Sequence, residues 1–547
     1  MLVSATNRAG GYESVGPGSG GSGSGGSGSA DPGSGSHPQT HPRAAVAVLC
    51  AAGIVVALMQ TIIVPLIPQL PDLLHAAPSD TTWALTMTLL AGAVITPIGG
   101  RLGDMYGKRR MLLASMGCVA AGSILCALSG ALLPFLIGRG LQGLGFGTIA
   151  LGISVMRDIV PARHLGSSVG TMSASLGVGG ALGLPVSAFI AQNIGWHALF
   201  WLCAGAAGMA AVGIALTVPE SRGRAGGRFD LFGAAGLAAM LVCLLLPLSK
   251  GARWGWTSPT TLGVVIAFLI VAVAWWRWER RRDTPLIDLG VALDTPVLLT
   301  NIASVATGFA FYSMQLMPIQ LLMAPTSAPI GLGFDMLMAS LVLAPSGILM
   351  FVFSHVSAWL TDRAGPRVSL AVGGLVIGLG YVVFLVLLLT GGFTWWIMLI
   401  VACLTGAGLG IAYSAMPALI MRAVPVAQTG EANGVNALMR VVGTSTSAAV
   451  VGMVLTWSTV QISLPGGAIV VPDTNGYLIA SIVSLVACVV AAALAMAIPT
   501  SRRLEVETID ALGGRDPSIP DGPDGAVGTT DTEGPDPARE IRGEISP

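Results

Sequence analysis

Charge is scarce in this chain. Asp, Glu, Lys and Arg make up 10% of its 547 residues, against 53% hydrophobic ones, and the 27 basic and 27 acidic side chains cancel. A zero balance without long basic blocks offers nothing to nucleic acid. A mean hydropathy of +0.78 excludes an ordinary soluble domain. The cysteines (Cys50, Cys118, Cys126, Cys203, Cys243, Cys403 and Cys488) all sit in apolar runs without metal-ligand spacing, so neither a metal site nor a disulfide framework is expected. There is no nucleophile–base pair and no phosphate-binding loop, which argues against an enzyme and against a cofactor. The start lacks the basic-then-apolar order of a signal peptide. Residues 1–42 are rich in Gly and Ser, and residues 500–547 in Asp, Glu, Gly and Pro; both read as disordered tails.

What is present is a succession of apolar segments. About fourteen, centred near residues 55, 92, 120, 144, 179, 208, 240, 268, 309, 347, 379, 408, 443 and 487, are long enough to cross a bilayer as helices. Basic residues concentrate in the even-to-odd loops: Arg101 and Lys108–Arg110 after span 2, Arg157 and Arg163 after span 4, Arg222, Arg224 and Arg228 after span 6. Arg277 and Arg280–Arg282 follow span 8, Arg363 and Arg367 span 10, and Arg422 span 12, whereas the odd-to-even loops carry only Lys250 and Arg253. The positive-inside rule then puts both termini in the cytoplasm, as expected of a multi-pass protein of the inner, cytoplasmic membrane in contact with lipid. Between spans 13 and 14, two β-prone runs flank Pro465-Gly466-Gly467; a small hairpin and an irregular loop are both open there.

A charge-rich stretch, GRLGDMYGKRR (Gly100–Arg110), recurs. In AWLTDRAGPR, Leu360, Asp362, Gly365 and Arg367 repeat the register of Leu102, Asp104, Gly107 and Arg109. One copy joins spans 2 and 3, the other spans 10 and 11. The expected fold is therefore an all-α membrane protein of about fourteen helices: two pseudo-symmetric six-helix bundles (43–220 and 288–499) and an inserted helix pair with linkers (221–287). Charges that merely set topology would explain the arginines, but not the paired Asp and Gly positions.

These motifs resemble the major facilitator superfamily, and within it the fourteen-span drug:proton antiporters. Gly100, Asp104, Gly107 and Arg109 match the loop signature. Arg139, Gln142 and Gly143 are similar to the R-x-x-Q-G pattern of span 4. Gly170, Gly179, Gly183 and Pro185 are similar to the spaced glycines of the antiporter helix, with Leu184 intervening before the proline. Asn436 and Arg440 are similar to the N-x-x-x-R of span 13. The resemblance implies alternating access by a monomer, export of amphiphilic small molecules, and protons as the coupling ion. It also implies gating contacts in which Asp104 faces the start of span 13, near Gly430 and Glu431, and Asp362 faces the start of span 5. For Arg139, a charge deep in a span, it implies a part in coupling; for Arg440 a transport role and a cross-linking role are both open.

One departure matters. Span 1 reads Leu58-Met59-Gln60-Thr61, with Met59 where these exporters usually carry an aspartate, and no Asp or Glu lies deep in any span. Coupling would then fall to Asp80, Asp104, Asp335, Glu431, a histidine or the substrate. Asp80 and Asp335 read more simply as helix N-caps. Two deep arginines without a deep acid favour neutral or anionic amphiphiles over cations. Met59, Gln60, Thr61, Thr86 and Asn301 are the candidate substrate-lining residues. The alternatives are a proton-independent facilitator or symporter of a small metabolite, and a non-transporting membrane sensor or scaffold.

Overall fold

The computed structural model describes residues 42–499 apart from 64–65, 67–68, 82, 221–228, 283–284 and 465–466. Both tails, save Pro42, lie outside the described residues. Among the described residues, fourteen helices are long and apolar enough to cross a membrane. In the first half they are α1 (Pro42–Thr61), α2 (Trp83–Tyr106), α3 (Lys108–Leu128), α4 (Leu132–Ile159), α5 (His164–Asn193) and α6 (Trp196–Thr217). The pair α7 (Leu231–Gly251) and α8 (Pro259–Glu279) follows. The second half holds α9 (Thr295–Met323), α10 (Met336–Ala364), α11 (Pro366–Thr390), α12 (Trp395–Ala423), α13 (Thr429–Trp457) and α14 (Thr474–Ala497). Every sequence-derived centre falls inside its helix.

Each half has its own apolar core. Leu49, Val56, Met116, Phe135 and Phe200 belong to the first, Met317, Tyr381, Phe384 and Tyr477 to the second. The repeat is visible in the packing. Helix α3 lies on α6 as α11 lies on α14, and α2 crosses to α13 as α10 crosses to α5. Arg109 donates to the Ala215 carbonyl in α6, and Arg367 donates to the Ile498 carbonyl just past α14 at 3.4 Å. The repeated arginine thus staples the third helix of each half to the end of its sixth.

The inserted pair occupies one side of the molecule. Leu237, Leu241 and Leu245 of α7 pack with Ala93 of α2 and Val435 and Leu438 of α13, over the seam between the halves. Lys250 sits 4.5 Å from the Trp83 ring centroid, a cation–π contact with the start of α2. Helix α8 lies outside α7 and leaves Leu262, Ile266, Leu269, Ile270 and Val273 exposed, as suits a lipid-facing helix.

Local chemistry sets the helix starts. Asp230, Ser258 and Asp335 accept from the backbone N–H groups of Gly233, Thr261 and Met338, N-caps that contribute about 1 kcal/mol each. Asp80 lies in the first turn of a short helix, Pro78–Thr81, just upstream of α2, and Thr82 between the two lies outside the described residues. Proline takes the first position of that short helix at Pro78, after Ala77. Between α13 and α14 a hairpin forms from β1 (Thr459–Leu464) and antiparallel β2 (Gly467–Pro472), pairing Val460 with Val471 and Ile462 with Ile469. Pro465 and Gly466 of its expected turn lie outside the described residues.

Candidate gate and transport pathway

The loops rich in arginine define one face of the molecule, and there the halves are locked together. Gly107, at φ +110°, turns the chain from α2 into α3. One turn back, Asp104 is 3% exposed and accepts the Glu431 N–H at 3.1 Å, at the N-terminus of α13. A carboxylate there meets unpaired N–H groups and the positive end of the helix dipole. Two glycines make the approach possible: a Cβ on Gly430 would lie 2.8 Å from either Asp104 oxygen, and one on Gly100 would lie 2.7 Å from the Gly430 carbonyl carbon.

Further charges close around this contact. Arg101 pairs with Glu431 at 3.4 Å. Lys108 bonds Asp158 at 2.9 Å and stands 4.0 Å from Asp104. Arg157, at the end of α4, donates to the Met421 carbonyl at 3.0 Å, the Val424 carbonyl at 3.3 Å and the Thr429 hydroxyl. Glu431 also accepts the Asp288 N–H at 2.6 Å, which ties in the connection from the inserted pair. Basic and acidic side chains balance, so the closed face buries little net charge.

The second copy of the motif is not engaged. Gly365 makes its turn at φ +87°. Asp362, however, is exposed and forms no hydrogen bond or ion pair with the described residues, so the expected contact with the start of α5 is absent from this conformation. Helix α10 ends at Ala364 with Asp362 on its outer side, whereas Asp104 points along the α2–α13 seam. Two loops of the same register thus serve different surroundings.

Arg139 is completely buried in the first half. It donates to the carbonyls of Ala84 and Met59 at 3.2 Å each and to the Gln142 side chain at 2.6 Å. Gln142 in turn donates to Ser123 at 2.8 Å, and Gly143 lets α4 close on Ala91 of α2. The arginine therefore binds α1, α2 and α4 together through neutral acceptors; the backbone of Met59 takes the place of the missing aspartate.

Arg440 has a different setting. It donates to Asn436 at 3.3 Å and lies 5.1 Å from the Tyr413 ring centroid. Asn436 is held by Asn301 at 3.1 Å and Ser304 at 2.7 Å. In α5, Gly179 and Gly183 face α1, Gly170 faces α10 and α12, and the helix runs unbroken through Pro185.

Towards the face opposite the gate, α5, α9, α10 and α12 enclose an apolar cavity lined by Gly177, Phe311, Met314, Gln315, Leu343 and Met350, among others. None of the substrate-lining candidates stands on its wall. Met59 is fully buried because Leu49, Ala52, Val56 and Met59 form the core stripe of α1. Gln60 is half-buried; Thr61 bonds the Leu58 carbonyl and faces Gly183; Thr86 is buried; Asn301 is committed to Asn436.

This arrangement of helices has relatives. Residues 49–230 and 214–448 match the sequence profile of the Major Facilitator Superfamily. The chain belongs to that superfamily. It is a multi-pass membrane transporter and not an enzyme. The transporter is 26% identical to "Multidrug resistance protein Stp" of Mycobacterium tuberculosis over 68% of each chain. It is 28% identical to the "Tetracenomycin C resistance and export protein" of Streptomyces glaucescens over 73% of each. It is 26% identical to the "Probable actinorhodin transporter" of Streptomyces coelicolor, over 77% of this chain and 73% of that one. Among solved structures, the proton:xylose symporter XylE superposes with a TM-score of 0.59 at 14% identity, covering 85% of this chain and 97% of that one. The human organic anion transporter MFSD10 does so with 0.57 at 16%, covering 83% and 100%. At such identities these two speak for the fold.

Sequence reasoning missed Arg157, Asp288 and the cavity wall. Arg157 counted only as a topology charge; its position at the end of span 4, next to Asp158, was the available signal. Phe311, Met314 and Met350 are indistinguishable in sequence from ordinary span residues.

Proposed function

We propose that this transporter exports amphiphilic small molecules across the cytoplasmic membrane by alternating access, driven by proton antiport, and favours neutral or anionic substrates over cations. The gated face is the cytoplasmic one, and both termini lie there. The observation that carries the reading is the combination of one locked face, through Asp104 and the N-terminus of α13, with a cavity between α5, α9, α10 and α12 towards the opposite face. That is one of the two end states of a rocking transporter. The resistance and export functions in the names of relatives support the export direction.

Asp104 and Glu431 are the buried acids that join the two halves, and they are the proposed proton carriers; Asp80 and Asp335 are exposed. Gating by Asp104 and closure of the glycine face of α5 complete the cycle. Met59 in place of an acid favours one second reading, a facilitator uncoupled from protons.

The charge preference is directly testable. In acid-interior proteoliposomes, an anionic dye is expected to show faster saturable uptake than ethidium. Equal, saturable uptake of ethidium would contradict it.

A further inference from the structure

The two deep arginines do not do the same work. Arg139 is 0% exposed and clasped by acceptors from three helices, out of reach of any substrate. Arg440 is 9% exposed and has a single side-chain hydrogen bond, the 3.3 Å contact with Asn436. It forms no ion pair with the described residues, and neither α9 nor α12, which flank it, contains an acidic residue. The acid of its own helix, Glu431, lies nine residues away and is committed to Arg101 and the Asp288 N–H. Arg440 also has no nitrogen that is both sealed and unpartnered, unlike Arg139. A cation held in a membrane interior without its counter-charge is costly, and a bound anion relieves that cost.

The surroundings say what else the anion carries. Arg440 lies over Tyr413, whose ring meets Phe311 edge-to-face at 6.0 Å between centroids, and Phe311 is part of the cavity wall. Two consecutive aromatic rings, Tyr413 and Phe311, therefore stand between the guanidinium and the cavity. Beyond Phe311 the wall continues with Met314 and Met350, whose flexible thioethers adapt to flat rings, and with Gln315, whose amide makes no hydrogen bond with the described residues. Behind the arginine, Asn301 and Ser304 fix Asn436, which fixes the guanidinium.

We propose that Arg440 is the receptor for the acidic group of an aromatic anionic substrate, whose ring system lies along Tyr413 and Phe311 into the cavity between α5, α9, α10 and α12. This deepens the exporter reading and rests on it for the identity of the bound molecule as cargo. A guanidinium over an aromatic ring, with its fork directed by a fixed amide, suits a carboxylate or phenolate better than an isolated ammonium would.

Binding in lipid nanodiscs tests this without turnover, using the fluorescence of pyrenebutyrate and of its methyl ester. The wild type is expected to bind the acid about tenfold more tightly than the ester, the gain from one charge-assisted hydrogen bond. Arg440→Gln should abolish the preference and leave ester affinity unchanged. Asn436→Asp leaves the arginine in place but supplies an internal counter-charge, and should abolish it too, which guards against a misfolded arginine variant. An acid preference that survives both substitutions overturns the proposal. So does equal weakening of acid and ester, or a wild type that binds neither probe. Proteoliposomes that bind the acid at Arg440 yet ignore a pH gradient would instead count against the antiport reading alone.

Discussion

Asp104→Asn is expected to lower the initial rate of transport at least about tenfold while leaving the amount of folded protein in the membrane unchanged. The carboxylate meets the positive end of α13 through the Glu431 N–H at 3.1 Å and faces Lys108 at 4.0 Å. Charge at a helix N-terminus is worth up to about 2 kcal/mol when partly buried. Asparagine keeps the shape but loses the charge, and a bias of about 2 kcal/mol between closed and open faces shifts their ratio about 30-fold. The cycle then stalls with the gated face open, which spin-label distances between the halves would report as a longer separation. Asp362→Asn is the internal comparison. Its carboxylate is exposed and unpaired among the described residues, so its effect should stay within about twofold, the range of ordinary surface substitutions. Equal losses from the two variants would show that both loops gate alike.

The second large effect concerns Arg139. Arg139→Ala should abolish most transport and lower the thermal unfolding temperature by several degrees at once. Its guanidinium bridges Met59 of α1, Ala84 of α2 and Gln142 of α4. Removing it empties a fully buried site and strands the Gln142 oxygen, at about 1–3 kcal/mol for such an orphan, with a cavity cost added. Arg139→Lys should recover little, because an ammonium on a flexible stem cannot span the three acceptors as a planar fork does. Measuring unfolding alongside transport separates the alternatives. A variant that folds with wild-type stability but no longer responds to a pH gradient would assign Arg139 to coupling instead of cross-linking.

These expectations rest unequally on the sequence. The fourteen helices were legible because hydropathy and loop charge are local signals, and a bilayer punishes any span that breaks them. The repeat was legible for the same reason: Gly107 and Gly365 both take the positive φ that the register of Asp104 and Asp362 implies. What registers alike in sequence can still meet different neighbours, and Asp362 does. The cavity was not legible. Helix α9 is buried over much of its circumference, so its apolar residues carry no stripe to separate the wall at Phe311 and Met314 from the core at Met317. Met59 differs from expectation for a related reason: its position carries an acid in similar exporters, whereas here it falls on the core stripe and offers Arg139 its carbonyl.

Proton-coupled alternating access is tested by uptake of an anionic dye by proteoliposomes under an imposed pH gradient, with and without an ionophore that dissipates it. Coupled antiport should give accumulation above the equilibrium level in acid-interior vesicles, collapse on dissipation, and loss of the gradient response in Glu431→Gln. Uptake that proceeds to the same level whether or not the gradient is present would contradict it and leave a facilitator.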